Sequence, residues 1–206
     1  MSFGMTAASY LSVVETQETY SIFDGQPSIP WQADFVEDGI SVGTEFRVSQ
    51  AAWVTHVRYL AGHGGGNDGI KPETSYCTIF ESTDGGATAT MLFTPLEMPY
   101  QQTVDEWVTL ELPLPQQVQP PHTYMVVVWH PVGLNSYIAT GGYFASGDFL
   151  SGQDVVKGPL IIPSAASSLH QGAYHYGAQV DAYPTDSYNG AAYYSDILLV
   201  TEEPGN

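Results

Sequence analysis

Apolar residues in this chain alternate with polar ones or form short continuous runs, and they do not follow a helical repeat. No segment longer than about ten residues keeps the spacing of an amphipathic helix. Glycine and proline, 21 and 14 residues, interrupt the chain throughout, and they mark turns between short strands. The sequence therefore predicts an all-β architecture.

Individual runs predict particular strands. The run from His122 to Pro131 is nearly all apolar, which is typical of a strand buried on both faces. Asp84, Gly85 and Gly86 predict a tight hairpin turn, since hairpin turns need positive φ angles. The predicted strands and strand-like segments are Ile40–Val48, Trp53–Leu60, 76–82, 87–93, Trp107–Pro115, His122–Pro131, 136–148, 158–164, 172–177 and 193–200.

About nine or ten strands in one chain favour a two-sheet antiparallel β-sandwich of jelly-roll type. The 206 residues, 43% of them apolar, are enough for a single core. We interpret residues 1–21 as an N-terminal arm or attachment segment, 22–201 as the sandwich domain and 202–206 as a short tail.

The charge balance is strongly acidic, with four basic residues, 22 acidic residues and a formal net charge of -18. Such a chain is unsuited to nucleic acid and to anionic membranes, because phosphate binding needs clustered Lys or Arg. Colloidal solubility is the simplest explanation of the charge, and a basic partner or calcium is the alternative.

Neither a disulfide nor a membrane segment is expected. Cys77 is the only cysteine, and its strand-like context indicates a buried, inert thiol. No stretch has the roughly 20 apolar residues of a membrane span. The first twenty residues lack the basic start and apolar run of a secretory signal, so we expect no export by that route.

No motif for catalysis or for a metal is present. The six histidines are scattered without paired zinc spacing, and no ordered nucleophile motif occurs. We therefore predict no enzyme activity, no cofactor and no metal. Calcium is the alternative left open, at Asn67 and Asp68 or at Asp181 and Asp186, although such residues more often cap turns.

Aromatic residues are the best candidates for a binding surface, because flat rings stack on sugars and anchor protein interfaces. The alternative is that the tyrosines of 172–177 are half-buried sheet residues. Arg58 is expected to form a structural carboxylate pair, with Asp196 as the suggested partner. The candidate ligand-binding residues are Tyr174, His175, Tyr176, Tyr183, Tyr188, Tyr137 and Tyr143.

Three blocks of the chain, in order, resemble a bacterial domain-of-unknown-function family. They are GTEFRVSQAAWVTHVRYLAG, then CTIFESTDGGATATMLF with EWVTLELPLPQQVQPPHTYMVVVWHP, and then GAYHYGAQVDAYPTDSYNGAAYYSDILLV. The resemblance covers roughly residues 22 to 200. It implies a β-sandwich module of the kind appended to secreted cell-surface proteins and glycan-active enzymes, with a non-catalytic accessory or adhesion role.

The resemblance and the expected lack of a signal peptide together predict a bacteriophage virion protein, since tailed phages reuse such modules and leave the cell by lysis. We expect a minor tail protein that is oligomeric within an assembly. Its expected partners are other virion proteins and host-surface polysaccharide, with neither nucleic acid nor membrane insertion. The alternative is a carbohydrate-binding accessory module of a secreted, multidomain bacterial protein.

Overall fold

Short apolar runs separated by glycine and proline form strands throughout the protein. The structure, a computed structural model, describes residues 17–25, 35–36, 39–62, 74–99, 106–131, 133–134, 137–149, 151–168, 170–177 and 179–205. Within these ranges there is no α-helix, and hence none long and apolar enough to cross a membrane. The elements are β1 (Phe35–Val36), β2 (Ile40–Val48), β3 (Ala52–Leu60), β4 (Tyr76–Ser82), β5 (Thr90–Met91), β6 (Leu96–Glu97), β7 (Trp107–Val118), β8 (Thr123–His130), β9 (Gly133–Leu134), the 3-10 helices Tyr143–Ala145 and Gly147–Phe149, β10 (Val155–Lys157), β11 (Leu160–Ile162), β12 (Ala173–Tyr176), β13 (Asp186–Ser187) and β14 (Ser195–Val200).

Two antiparallel sheets face each other. The large sheet has the order β10-β11-β2-β8-β4-β5, with β12 and β13 added beside β2 and β6 beside β4. The small sheet has the order β14-β3-β7, and β1 pairs separately with β9. The chain passes repeatedly from one sheet to the other, as in a jelly roll. The predicted all-β, two-sheet sandwich is thus confirmed.

The main core lies between the sheets, because alternate side chains of each strand point to one face. Phe46 and Val126 of the large sheet are buried in one cluster with Val57 and Ile197 of the small sheet. Cys77 is buried here too, and burial raises the pKa of its thiol to about 12. The expected burial of this thiol is therefore confirmed, and a raised pKa keeps it in the less reactive protonated form.

The opposite face of the large sheet is also covered. Phe80, Met125 and Val127 form a second cluster there, and Tyr183 packs against it. This explains why β8 is apolar on both faces, as its continuous apolar run predicts. Glu45 is buried on the same face, where it accepts a hydrogen bond from the Ser168 hydroxyl.

A buried ion pair crosses the small sheet between β3 and β14. The distance from Arg58 Nη2 to Asp196 Oδ2 is 2.7 Å, and Arg58 lies 4.2 Å over the Trp107 ring centroid. Asp196 Oδ1 accepts the Ile22 amide at 2.8 Å, and Arg58 donates to the Phe23 carbonyl at 3.0 Å. Burial raises the pKa of Asp196 to about 6, against the lowering effect of Arg58. The predicted carboxylate partner of Arg58 is confirmed.

Residues 20–24 also contact the sandwich. Tyr20 pairs with Leu199 at the free edge of β14, and Ile22 and Phe23 are buried in the main core. Lys157 Nζ lies 2.7 Å from Asp24 at the surface. Most of the predicted N-terminal arm, residues 1–16, lies outside the described residues.

Three local predictions need correction. The link between β4 and β5 spans residues 83–89 and is no tight turn, because Asp84 accepts the Thr88 amide at 2.8 Å and builds a wider loop. Only Gly85 and Gly86 have positive φ there. Within the predicted strand 136–148, the described residues 137–148 form isolated bridges and 3-10 turns instead of a strand, because Gly142 turns the chain with a φ of 72°.

The predicted strand Trp107–Pro115 is longer than expected and irregular. β7 continues to Val118 as the edge of the small sheet. Its register to β3 passes from Val54↔Gln116 to His56↔Glu111, so four residues, 112–115, stand opposite Thr55 alone. Leu114 at this bulge is 69% exposed.

Candidate functional site

Strand β12 is the element that presents tyrosines at the rim of the large sheet. It pairs with β2 through Ala173↔Gly43 to Tyr176↔Ile40, and with β13 only at its first two residues. Because side chains alternate along a strand, Tyr174 and Tyr176 share one face and His175 lies on the other. Of the three predicted ligand residues in β12, only the two tyrosines can therefore contact the same ligand.

A glycine lies directly before β12 and another directly after it, and close backbone contacts at both determine the bounds of the strand. Gly172 has a φ of 64°, and a Cβ there would lie 1.7 Å from the Ala191 carbonyl oxygen. Beyond the other end, the Gly177 amide donates to the Gly39 carbonyl at 3.0 Å. Trp129 Nε1 donates to the Gly177 carbonyl at 2.9 Å. The residue after Tyr176 is therefore held from two sides.

A chain of aromatic rings supports the two tyrosines from inside. The centroids of Tyr176 and Tyr174 are 5.3 Å apart at an interplanar angle of 67°. Tyr174 contacts Tyr193 at 6.1 Å, Tyr193 contacts Tyr137 at 5.9 Å, and Tyr137 contacts His130 at 5.9 Å. Such edge-to-face and offset contacts are favourable for aromatic rings. The series runs from the surface into the core, so the outer rings rest on a rigid base.

A carboxylate accompanies the tyrosine pair. Asp186 of β13 is directly opposite Tyr174 in the antiparallel register, so the two side chains share a face with Cβ atoms about 5 Å apart. Asp186 is exposed, and 52% of Tyr176 is exposed. We name Tyr174, Tyr176 and Asp186 the tyrosine edge.

The other exposed candidate, Tyr188, lies elsewhere. It is 61% exposed, but the pairing Ala173↔Ser187 places it beyond the opposite end of β12 from Tyr176. Four strand positions separate the two tyrosines, or about 13 Å. The structure therefore does not bring Tyr176 and Tyr188 into one patch.

Tyr183 belongs to the cover of the large sheet. Its ring lies 5.1 Å from Phe80 and 6.0 Å from His170. Burial raises the pKa of Tyr183 to about 12. With these contacts, Tyr183 closes the second hydrophobic cluster and presents little ring face outward.

Tyr137 lies in the interior, and Tyr143 is partly buried. Tyr137 is 3% exposed, and its ring is occupied by Tyr193 and His130. Tyr143 packs against Phe23 at 5.5 Å, and burial raises its pKa to about 12. Of these two predicted ligand residues, Tyr137 is a core residue, whereas Tyr143 is partly buried and packs against the main core, because the glycine-bounded segment folds inward.

Sequence reasoning missed Trp129 and Gly177 as supports of the site. Trp129 ends the apolar run of β8, and a tryptophan at the end of a buried strand needs a partner for its N–H. That signal was available in the sequence. Its acceptor, the Gly177 carbonyl, lies 48 positions away, and no local pattern indicates such a pairing.

The polar clusters of the described residues are occupied by internal contacts. Ser75 and His130 Nδ1 are 3.0 Å apart in the core, and His122 Nδ1 lies 2.7 Å from Glu81. Burial raises the pKa of Glu45, although Ser168 and Arg47 act against it.

The acidic loops do not form a metal site within the described residues. Among the described residues, no group of three or more His, Cys, Asp or Glu side chains is placed to hold a metal ion. Asp181 and Asp186 are exposed. The second calcium candidate, Asn67 and Asp68, lies outside the described residues.

By architecture, then, the protein is an antiparallel β-sandwich domain with an aromatic rim on its larger sheet. The sequence profile of the family described as Domain of unknown function (DUF4082) matches residues 25–195, and the chain belongs to this family. The matched segment includes the whole tyrosine edge. No curated protein matches the chain.

Proposed function

We propose that this protein is a non-enzymatic adhesion module that binds a glycan through its tyrosine edge. The observation that carries the proposal is the position of Tyr176, half exposed at the rim yet backed by a ring series that reaches His130. A preorganised ring loses little conformational entropy when a ligand stacks on it.

Charge narrows the class of ligand. With a net charge of -18, the protein repels phosphate-rich polymers at long range. A sugar surface offers apolar C–H faces for stacking and hydroxyl groups for hydrogen bonding, so it suits tyrosine rings. The tyrosine edge meets these requirements with two phenols and one carboxylate.

Retention on immobilised bacterial cell-wall polysaccharide tests the binding function. We expect Tyr176→Ala to weaken retention about tenfold, which corresponds to about 1.4 kcal/mol. Tyr188→Ala is the matched control, because it removes an equally exposed tyrosine away from the edge. Equal retention of the wild type and Tyr176→Ala, with unchanged circular dichroism, would contradict the proposal.

For the biological setting we propose a bacteriophage virion, with the protein as a minor tail component in an oligomeric assembly. Support comes from the resemblance of the chain to sandwich modules that tailed phages reuse. A protein that is displayed in several copies also gains avidity from modest single-site affinity. Mass spectrometry of purified particles should detect the chain in defined copy number, and its absence from particles would exclude this setting.

The alternative setting is an accessory module of a secreted bacterial protein, which the same resemblance supports. In that case an antibody against the sandwich would detect a larger polypeptide in bacterial culture supernatant. The tyrosine edge has the same role in both settings, so the retention experiment does not depend on which is correct.

A further inference from the structure

The distribution of positive charge is the first step towards a more specific ligand. Each cation of the described ranges is held by carboxylates: Arg58 by Asp196, Lys157 by Asp24, and Arg47 by Glu45 and Asp154. Lys71 lies outside these ranges. The described surface therefore offers acidic groups in excess and, within those ranges, each cation already has an acidic partner.

The tyrosine edge concentrates this property at one place. Tyr174 and Tyr176 meet edge to face, so the edge presents ring surface in two orientations. Asp186 stands across from Tyr174 on the same face. Ring faces attract cations through their quadrupole, and a carboxylate beside them adds Coulombic attraction.

The interior of the protein shows the same arrangement with its cation in place. Arg58 lies 4.2 Å over the Trp107 ring and 2.7 Å from the Asp196 carboxylate. At the tyrosine edge, Tyr174 and Asp186 correspond to the ring and the carboxylate. A cation from outside the chain would complete the set.

We infer that the tyrosine edge is selective for sugars that carry a protonated amino group, so that its ligand is an amino-sugar polymer with free ammonium groups. This inference rests on the proposed glycan binding and names its substrate class. A pyranose with an ammonium substituent supplies an apolar face for Tyr176 and a cation for Asp186 within one residue. Neutral N-acetylated sugars supply only the first, and anionic glycans are repelled.

The experiment compares two oligosaccharides of equal length by isothermal titration calorimetry: a β-linked glucosamine oligomer and its fully N-acetylated counterpart. The measurement is made at a mildly acidic pH at which the amino groups are protonated. We expect about tenfold tighter binding of the amino form, a difference of about 1.4 kcal/mol, and a steep loss of this preference with added salt.

Variants separate the two contributions. Asp186→Asn should abolish most of the preference while the acetylated oligomer still binds, and Tyr176→Ala should weaken both ligands. Glu203→Gln is the matched control, because it also removes one exposed carboxylate. Glu203 follows the last residue of β14, Val200, which pairs with Trp53. That end of the sandwich is opposite the tyrosine edge, so the control should leave the preference unchanged.

The outcomes distinguish this inference from the proposed function. Equal binding of both oligomers would overturn the ammonium selectivity and leave glycan binding intact. Binding of neither would overturn both. Binding of polylysine with the same dependence on Asp186 and Tyr176 would show that the edge recognises ammonium groups of a protein and would overturn the assignment to an amino sugar.

Discussion

The Arg58–Asp196 pair and the tyrosine edge combine the same kinds of chemical group at opposite degrees of burial. Asp196 is fully buried, and Arg58 is enclosed by Trp107, Asp196 and the Phe23 carbonyl. The tyrosine edge has a half-exposed ring and an exposed carboxylate. The buried set joins β3, β14 and the N-terminal segment, whereas the tyrosine edge has its ring contacts on the inner side and a half-exposed ring on the outer side.

Ring and carboxylate pairs therefore have two separate uses in this molecule. At the buried pair the ring and carboxylate hold a cation of the chain itself, whereas at the tyrosine edge they lie at the solvent-exposed rim. Substitutions should therefore affect stability at one place and binding at the other.

The largest expected effect is at the buried pair. Arg58→Met leaves Asp196 as an uncompensated buried charge, which should cost about 3–5 kcal/mol of unfolding free energy. Lys157→Met is the matched control, because it breaks a surface pair with the exposed Asp24 and should cost under about 1 kcal/mol. Urea denaturation measures both, and similar losses would show that enclosure of the pair is unimportant.

The second largest effect is expected for Gly172→Ala. Left-handed strain and overpacking together should lower its unfolding free energy by about 2–4 kcal/mol. A Cβ at this position overlaps the Ala191 carbonyl oxygen. Gly85→Ala is the matched control, since Gly85 has a φ of 71° but nothing within 4 Å of its Cβ position. If the two variants unfold at the same urea concentration, the close approach of residues 172 and 191 is absent in solution.

The pH dependence of stability provides a second test of the buried pair. Because folding raises the pKa of Asp196 from 3.8 to about 6, the folded state holds a proton that the unfolded state releases between these values. The stabilising contribution is complete below about 3.8 and is lost as the pH rises through 6. The unfolding free energy of the wild type should therefore increase relative to Asp196→Asn on acidification through this window. A relative decrease would show that the ion pair with Arg58 outweighs burial.

The smallest expected effect on stability is at the tyrosine edge. Tyr176→Ala should change the unfolding free energy by less than about 0.5 kcal/mol, because half of the ring is already in water. Thermal unfolding by circular dichroism checks this value. A loss comparable to that of Arg58→Met would mean that Tyr176 is structural, and the contrast between the two regions would no longer hold.

Strand identities could largely be predicted from the sequence, whereas the composition of the site could not. β2 and β4 have the predicted bounds, 40–48 and 76–82, because their apolar runs are bounded by turn residues. Arg58 had a predictable partner because the chain has few cations and a carboxylate in its closing strand. The strand bounds follow from the local residue pattern, and the ion pair follows from the small number of cations in the chain.

The tyrosines depend on pairings between distant positions. Tyr176 is exposed because β12 ends beside Ile40, and Tyr137 is buried because its segment folds against His130. Each tyrosine lies in a short segment rich in glycine and alanine, and this composition does not show which ring will be buried. Register across the sheet decides their exposure.

The irregular stretch of β7 has a consequence for how molecules of this protein meet at high local concentration. β7 is the outer strand of the small sheet, and residues 112–115, which include Pro113 and Pro115, stand opposite a single residue of β3. Proline has no amide hydrogen, and a looped-out strand presents no straight ladder of donors and acceptors. Neighbouring copies are therefore hindered from joining sheet to sheet along this border, and crowding on a surface need not lead to fibrous aggregation.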